Sequence, residues 1–312
     1  MYWTKIAVIV AAVLVLSIDS LAGSRATAMD DRIALSTKRS INTINPAGAG
    51  IRTVSEDSSD DAAWAPDHSA IAAIAVAITI YGLDGSKREL PTAGEQLNPS
   101  WSPNGKKIAF SMIDNLRCHK QRVRHCRHEI YTINADGSNL RRITDGYDAD
   151  NGHFAPTWSP DGQQIAYSGY EGWGGGLPQR LRKESRIMMV NASGGKSKLV
   201  LTLPFPYHAD DLDWSRANNL IVFSYMHGSG ILRENPVIKS KIAVVRPDGT
   251  GLRDLTRFAA GRADDPAWSP NGKQIAFIGH LNRDPQYSWF AYVLTPASGA
   301  MKKLIPAESL DW

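Results

Sequence analysis

Only two cysteines occur in the 312 residues, and neither C-x-x-C nor C-x-x-C-H is present, so the usual zinc-ribbon, thioredoxin and c-type haem signatures are excluded. No G-x-S-x-G elbow exists, which removes the common serine hydrolase motif. The stretch SGGKS at 193–197 is not a phosphate-binding loop, because Val190 stands where the leading glycine of that motif is required. Beyond residue 28 no apolar run is long enough to span a bilayer. Net charge is also scarce, a formal +4, which gives no electrostatic case for a nucleic-acid partner. What is present is ordinary globular composition, 43% hydrophobic and 21% charged, enough to bury a core.

The first residues have a distinct layout. Lys5 precedes an apolar run from Ile6 to Ile18, and small residues follow up to Ala26-Thr27-Ala28. This is the pattern of a secretory signal peptide over 1–28, leaving 29–312 as the exported chain. The alternative is an uncleaved anchor. No Cys follows the run, which argues against a bacterial lipoprotein anchor. The expectation is a periplasmic or secreted monomer with no stable membrane insertion after cleavage. Export in turn favours a disulfide between Cys118 and Cys126, eight positions apart in one polar segment. The competing reading is a metal or haem site, since His119, His125 and His128 crowd the same stretch.

The chain repeats one phrase. It reads SWSPNGKKIAF at 100–110, TWSPDGQQIAY at 157–167 and AWSPNGKQIAF at 267–277, with weaker copies at Trp64 and Trp214, and Trp312 closes the chain. Intervals of 37 to 57 residues between these tryptophans indicate a repeated supersecondary unit with insertions of variable length. Each phrase reads as strand, Pro-Asx-Gly turn, strand. A second pair of short strands follows around Asp-Gly or Gly-Gly turns, as in EIYTINADGSNLRRIT at 129–144. Four antiparallel strands per unit, here A to D, cannot bury both faces alone, but radial stacking buries them. Residues 32–55 supply strands B, C and D of a unit lacking A, and ESLDW at the end supplies the missing A strand. The fold class expected is therefore all-β, a six-bladed β-propeller of four-stranded antiparallel blades, closed by pairing N-terminal strands with the C-terminal one.

The phrase W-S-P-[DN]-G-x-x-I-A-[FY], followed by a strand and an A-D-G-S turn, resembles the TolB-like propeller repeat of bacterial exported proteins. The resemblance covers the whole chain after residue 28 and implies an envelope protein that binds a protein or peptide partner. TolB-type proteins also carry an N-terminal α/β domain. About 35 residues separate the expected cleavage site from Trp64, so that domain is not expected here.

In such a topology the D-to-A and B-to-C connections share one face, and the insertions fall there. Acidic residues precede the tryptophans on four blades. They are Asp60, Asp61, Asp210, Asp211, Asp264, Asp265 and Glu308, with Asp148 and Asp150 in a fifth connection. Converging on one channel mouth, they could bind basic side chains or Ca²⁺. The plainer alternative is that each caps its own loop by accepting local N–H bonds. The insertions add a rim of cations and aromatics: Arg117, Arg122, Arg124, Tyr170, Trp173, Tyr225, Met226, His280 and Trp289, the composition of a protein-binding surface. They also read as solvated loops with no partner. The function expected is non-catalytic binding, with no cofactor beyond possible channel Ca²⁺. The alternative is a hydrolase or lyase on a sugar, lactone or ester in the channel, drawing on Asp211, Asp265, His153, His208, His227 and His280.

Overall fold

The computed structural model describes residues 31–312 except 38, 58, 93, 114–127, 146–151, 171–183, 205–206, 228–238, 258–260 and 282–288. Cys118, Cys126, Asp148, Asp150, Arg117, Arg122, Arg124, Trp173 and the signal segment lie outside the described residues, as does the side chain of Tyr170. Among the described residues every regular element is a strand. None of their segments is a helix long and apolar enough to cross a membrane.

The chain opens with β1 (Ile33–Thr37), β2 (Ser40–Ile44) and β3 (Arg52–Ser55). The first complete blade is β4 (Asp60–Trp64), β5 (Ala70–Ile74), β6 (Ile78–Gly82) and β7 (Lys87–Glu89). The second is β8 (Glu95–Trp101), β9 (Lys107–Ile113), β10 (His128–Asn134) and β11 (Arg141–Arg142). The third is β12 (Gly152–Trp158), β13 (Gln164–Tyr170), β14 (Ser185–Asn191) and β15 (Lys198–Leu203). The fourth is β16 (Tyr207–Trp214), β17 (Ile221–His227), β18 (Lys239–Val245) and β19 (Arg253–Asp254). The fifth is β20 (Gly261–Trp268), β21 (Ile275–Leu281), β22 (Phe290–Thr295) and β23 (Ala300–Pro306). Last comes β24 (Ser309–Asp311), which joins the opening strands in the order β24-β1-β2-β3. Six four-stranded antiparallel sheets result, closed as the repeat pattern requires.

The repeated phrase explains itself in the turn chemistry. In the second blade Ser102 N–H donates to Lys107 O, and Gly105 N–H to Ser102 O. Ser102 Oγ–H donates to Asn104 Oδ1 while accepting Lys107 N–H. The same pattern recurs at Ser159–Gln164 and Ser269–Gln274. The glycine of each turn sits at positive φ, +65° at Gly272, where a Cβ would also approach the Ala217 Cβ at 2.9 Å. A side chain there would face both strain and collision.

All six repeat tryptophans are 4% to 7% exposed, which identifies them as packing residues. Trp214 packs among Ala155, Ala166 and Ile187 of the third blade and Ile221 and Phe223 of its own. Trp312 does the same against Ala267, Ala276 and Ile278 of the fifth blade. Each indole thus fills the wedge between consecutive sheets, where a large rigid area buries most surface per side chain. The final aromatic of the phrase is interior as well, with Phe110, Tyr167, Phe223 and Phe277 at most 1% exposed.

Five inner strands share a β-bulge three residues before the tryptophan. Pairing shifts between Asp60 and Ala63, Leu97 and Ser100, Phe154 and Thr157, Asp210 and Asp213, and Asp264 and Ala267. The bulged residue has positive φ in every case: Asp61, Asn98, Ala155, Asp211 and Asp265, between 47° and 53°. Asp and Asn tolerate this region better than other non-glycine residues, which explains four of the five choices.

Candidate functional site

The bulge decides what the acids before the tryptophans do. At Asp61, Asn98, Asp211 and Asp265 it turns the side chain toward the next blade, where it accepts a backbone N–H. Asn98 N–H donates to Asp61 Oδ2 (3.0 Å), and Ala155 N–H to Asn98 Oδ1 (3.3 Å). Asp265 N–H donates to Asp211 Oδ2 (3.1 Å), and Leu310 N–H to Asp265 Oδ2 (2.7 Å). A second tier runs through the residue before the tryptophan. Trp64 N–H donates to Asp311 Oδ2 (2.7 Å), Trp214 N–H to Thr157 Oγ1 (3.0 Å), and Trp268 N–H to Asp213 Oδ2 (2.7 Å). Both tiers stitch neighbouring blades around the axis. Asp61, Asp211 and Asp265, expected at a binding mouth or as caps of their own loops, are caps of the adjacent blade.

Ala155 interrupts the upper tier, having no acceptor to offer, and Asp211 N–H bonds instead to Asp210 Oδ1 (3.1 Å). Ala155→Asn should therefore relieve αL strain and restore the link. We expect a gain of about 1 kcal/mol in chemical denaturation; a loss would show that the pocket around this buried alanine cannot take the amide.

Within the rings lies a channel cavity of about 190 Å³, lined by Asp61, Asp211, Asp213, Asp265 and Asp311 together with His68 and Arg216. Burial drives Asp211 and Asp265 well above the usual carboxylate range, with neighbouring aspartates adding repulsion. Burial likewise raises Asp311 and pushes Asp213 up to about 7, opposed at Asp213 by the Trp268 N–H and by Arg216. Among the described residues no three His, Cys, Asp or Glu side chains are arranged to hold a metal ion.

The other predicted residues that the structure describes lie on the insertion face. Asp60 pairs with Ile74 in the β4–β5 ladder, its side chain being outside the described residues. Glu308 is exposed, and its N–H donates to Ser36 O (3.1 Å). Asp264 separates from its neighbour Asp265: it pairs with Arg262 at 2.7 Å, and its Oδ1 is buried without a hydrogen-bond partner among the described residues. Arg262 lies 4.8 Å from the Trp289 ring centroid, and His280 faces Trp289 at 6.5 Å. On the fourth blade Tyr225 lies between Phe223 (6.1 Å) and Tyr207 (5.2 Å), under Lys241 Nζ at 4.3 Å, and Tyr207 meets His227 at 5.1 Å. Met226 stands opposite His208 in the ladder. The structure thus brings Tyr225, His227, Asp264, His280 and Trp289 onto adjoining blades. Arg262, Lys241 and Tyr207 complete the groups and were missed. Their cue was position, each standing at a strand end facing an aromatic across the ladder.

His153 lies apart from these, between the second and third blades. Its Nδ1–H donates to Glu129 Oε2 (2.9 Å), which also accepts the Thr144 hydroxyl (2.5 Å).

The sheets form a six-bladed β-propeller, a fold it shares with TolB. TolB from Acinetobacter baumannii superposes with a TM-score of 0.65 at 20% identity, over 91% of this chain and 67% of that one. In sequence, the chain is 27% identical over 158 residues to a TolB homolog of Chlorobium luteolum, covering 51% of this chain and 30% of that protein. It is 25% identical over 192 residues to the uncharacterized peptidase YuxL of Bacillus subtilis strain 168, covering 61% and 23%. The chain thus spans less than a third of the length of either curated relative. No protein-family model matches it.

Proposed function

We propose that the protein is an exported, non-catalytic propeller that binds a protein or peptide partner in the cell envelope through its insertion-bearing face. The observation that carries this is the pairing of cations with aromatics at that face: Lys241 over Tyr225 and Arg262 over Trp289, beside the underused carboxylate of Asp264. Such half-buried aromatic and arginine groups are typical anchors of protein interfaces. The opposite face is built from tight turns, and the strand ends bounding the B-to-C segments 114–127, 171–183, 228–238 and 282–288 all point the other way. The TolB likeness and the signal-like residues 1–28 support a periplasmic or secreted site of action, where an oxidising environment would favour a Cys118–Cys126 bridge.

Affinity capture from an envelope extract is the test. Wild type should retain a defined protein, and Trp289→Ala combined with Tyr225→Ala should lose at least tenfold of it with the thermal midpoint held within a few degrees. Equal recovery by both would remove this face from the reading.

The alternative enzyme has one observation in its favour, the carboxylate-oriented imidazole of His153. Screening sugar, lactone, ester and peptide substrates with Ca²⁺ and other divalent metals added discriminates the two. Turnover abolished by His153→Gln would replace the binding reading, and a Ca²⁺-dependent thermal shift would establish the ion expected from the acids.

A further inference from the structure

Each blade ends in an outer strand whose far edge has no strand beside it among the described residues. Such an edge is a template for any chain able to add a strand, and proteins commonly shorten it or charge it. Five of the six edges are guarded in this way. β11 and β19 are two residues each, β7 is Lys87–Glu89 with a charge at every position, and β3 is four residues led by Arg52. β23 runs for seven residues but carries Lys302 and Lys303 at its middle and ends on Pro306.

β15 is the exception. Its six residues read KLVLTL, and the one charge is at the first position, Lys198. Val200 and Leu203 anchor the strand in the core shared with the fourth blade, so the edge is held in place before anything binds. Val200 stands outside the ladder at a pairing shift, its carbonyl close to Gly249 of the fourth blade. Leu199 on one side of it is 49% exposed, and Leu201 and Thr202 on the other are half-buried. The two ends of the strand differ in charge. Lys196 and Lys198 are exposed at its start, and neither side chain has a partner among the described residues. At its finish Leu203 pairs with Ser185, next to Glu184, whose half-exposed carboxylate meets Arg186 at 3.2 Å.

We propose that this edge pairs with the β15 of a second copy of the chain. An antiparallel pair of identical strands is its own two-fold partner, so one surface serves both copies. Centred on the strand, the pair sets Lys198 of each copy against Leu203 of the other and carries the lysines to the Glu184 end twice, with no like charges opposed. The same operation on β23 would set Lys303 against Lys303, a repulsive arrangement. The two-fold axis runs normal to the sheet, so the rings lie edge to edge with their insertion faces pointing in opposite directions. The surface is on the circumference and is independent of the proposed partner face. It replaces the monomer expected from the sequence with a weak dimer, since one strand pair is a small interface.

Sedimentation velocity of the purified protein tests it between about 1 and 100 µM, in reductant so that no cysteine can link two chains. A monomer–dimer equilibrium is expected. Leu199→Lys, at an exposed position, should weaken it at least tenfold, whereas Met301→Lys on β23, similarly exposed, should not. Lys198→Glu and Glu184→Lys should each weaken it, and the two changes in one chain should restore it, because cation and carboxylate then exchange ends. A monomer at every concentration would overturn the proposal and leave the edge to a strand from another protein. So would a dimer that Met301→Lys disrupts as much as Leu199→Lys does, or one that the charge exchange fails to restore.

Discussion

Asp213→Asn should raise the thermal midpoint at pH 8 by several degrees and flatten its dependence on pH between 5 and 8. In the folded chain Asp213 is buried with a pKa pushed up to about 7, while in the unfolded chain it titrates near the ordinary carboxylate value of 3.8. Between these values the folded state holds a proton that the unfolded state has released. Stability from this group is therefore complete at low pH and is lost as pH rises through 4 to 7. The ceiling is about 4 kcal/mol, from three units at 1.36 kcal/mol each. Asp211, Asp265 and Asp311 are raised in the same direction by the same burial. The turn aspartates Asp67, Asp136, Asp161 and Asp248 are lowered, chiefly by neighbouring hydroxyls, and their stabilising contributions are lost only as pH falls below about 4. From pH 5 to 8 the buried group dominates, so wild type should melt lower at pH 8 than at pH 5.5.

The amide keeps the acceptor for Trp268 N–H, and that makes the variant diagnostic. Asp213→Ala removes acceptor and charge together and orphans the N–H, which costs about 1–3 kcal/mol. It should melt below Asp213→Asn at every pH while sharing its flatter profile. Steep pH dependence persisting in both variants would assign it to Asp211, Asp265 and Asp311, which burial raises in the same direction, and not to Asp213.

The contrast between the two tiers shows what could be read from residues alone. Blade number, strand order and closure were legible because Trp, Ser-Pro-Asx-Gly and the apolar run recur in phase, and each has a single good structural solution. The terminal strands were legible for the same reason, since residues 32–55 lack an inner strand and the Trp312 phrase supplies one. The acids were found, but their bonds to the backbone of the neighbouring blade were not. A bulge at Asp61, Asp211 and Asp265 reverses where a side chain points, and no residue type announces it, since Ala155 adopts it too. Asp213 and Asp311 were missed because their position is Ala63, Ser100, Thr157 and Ala267 in the other blades. Only in the ring does an acceptor there acquire a use.

Leu310→Ala should cost about 2–5 kcal/mol and do so as a single cooperative transition, although it lies three residues from the end of the chain. Leu310 is 3% exposed and packs with Ile33, Leu35, Ala267 and Ile278, joining the closing and fifth blades. Its strand pairs Ala34 with Asp311, Leu35 with Leu310 and Ser36 with Ser309, and the two serine hydroxyls meet at 2.6 Å. The Leu310 N–H also ends the upper tier at Asp265, and Asp311 begins the lower tier at Trp64. Loosening β24 therefore exposes an edge on β1, frees two inter-blade acceptors and opens the core of the fifth blade at once. An open ring leaves unpaired strand edges that recruit other chains, so the variant should also aggregate on heating where wild type refolds. Tryptophan fluorescence and far-ultraviolet dichroism should report one coincident transition for both proteins. A variant that lost the Trp312 signal early and kept five blades melting at the wild-type midpoint would show that closure is local, and that the remaining sheets stand as an array without it.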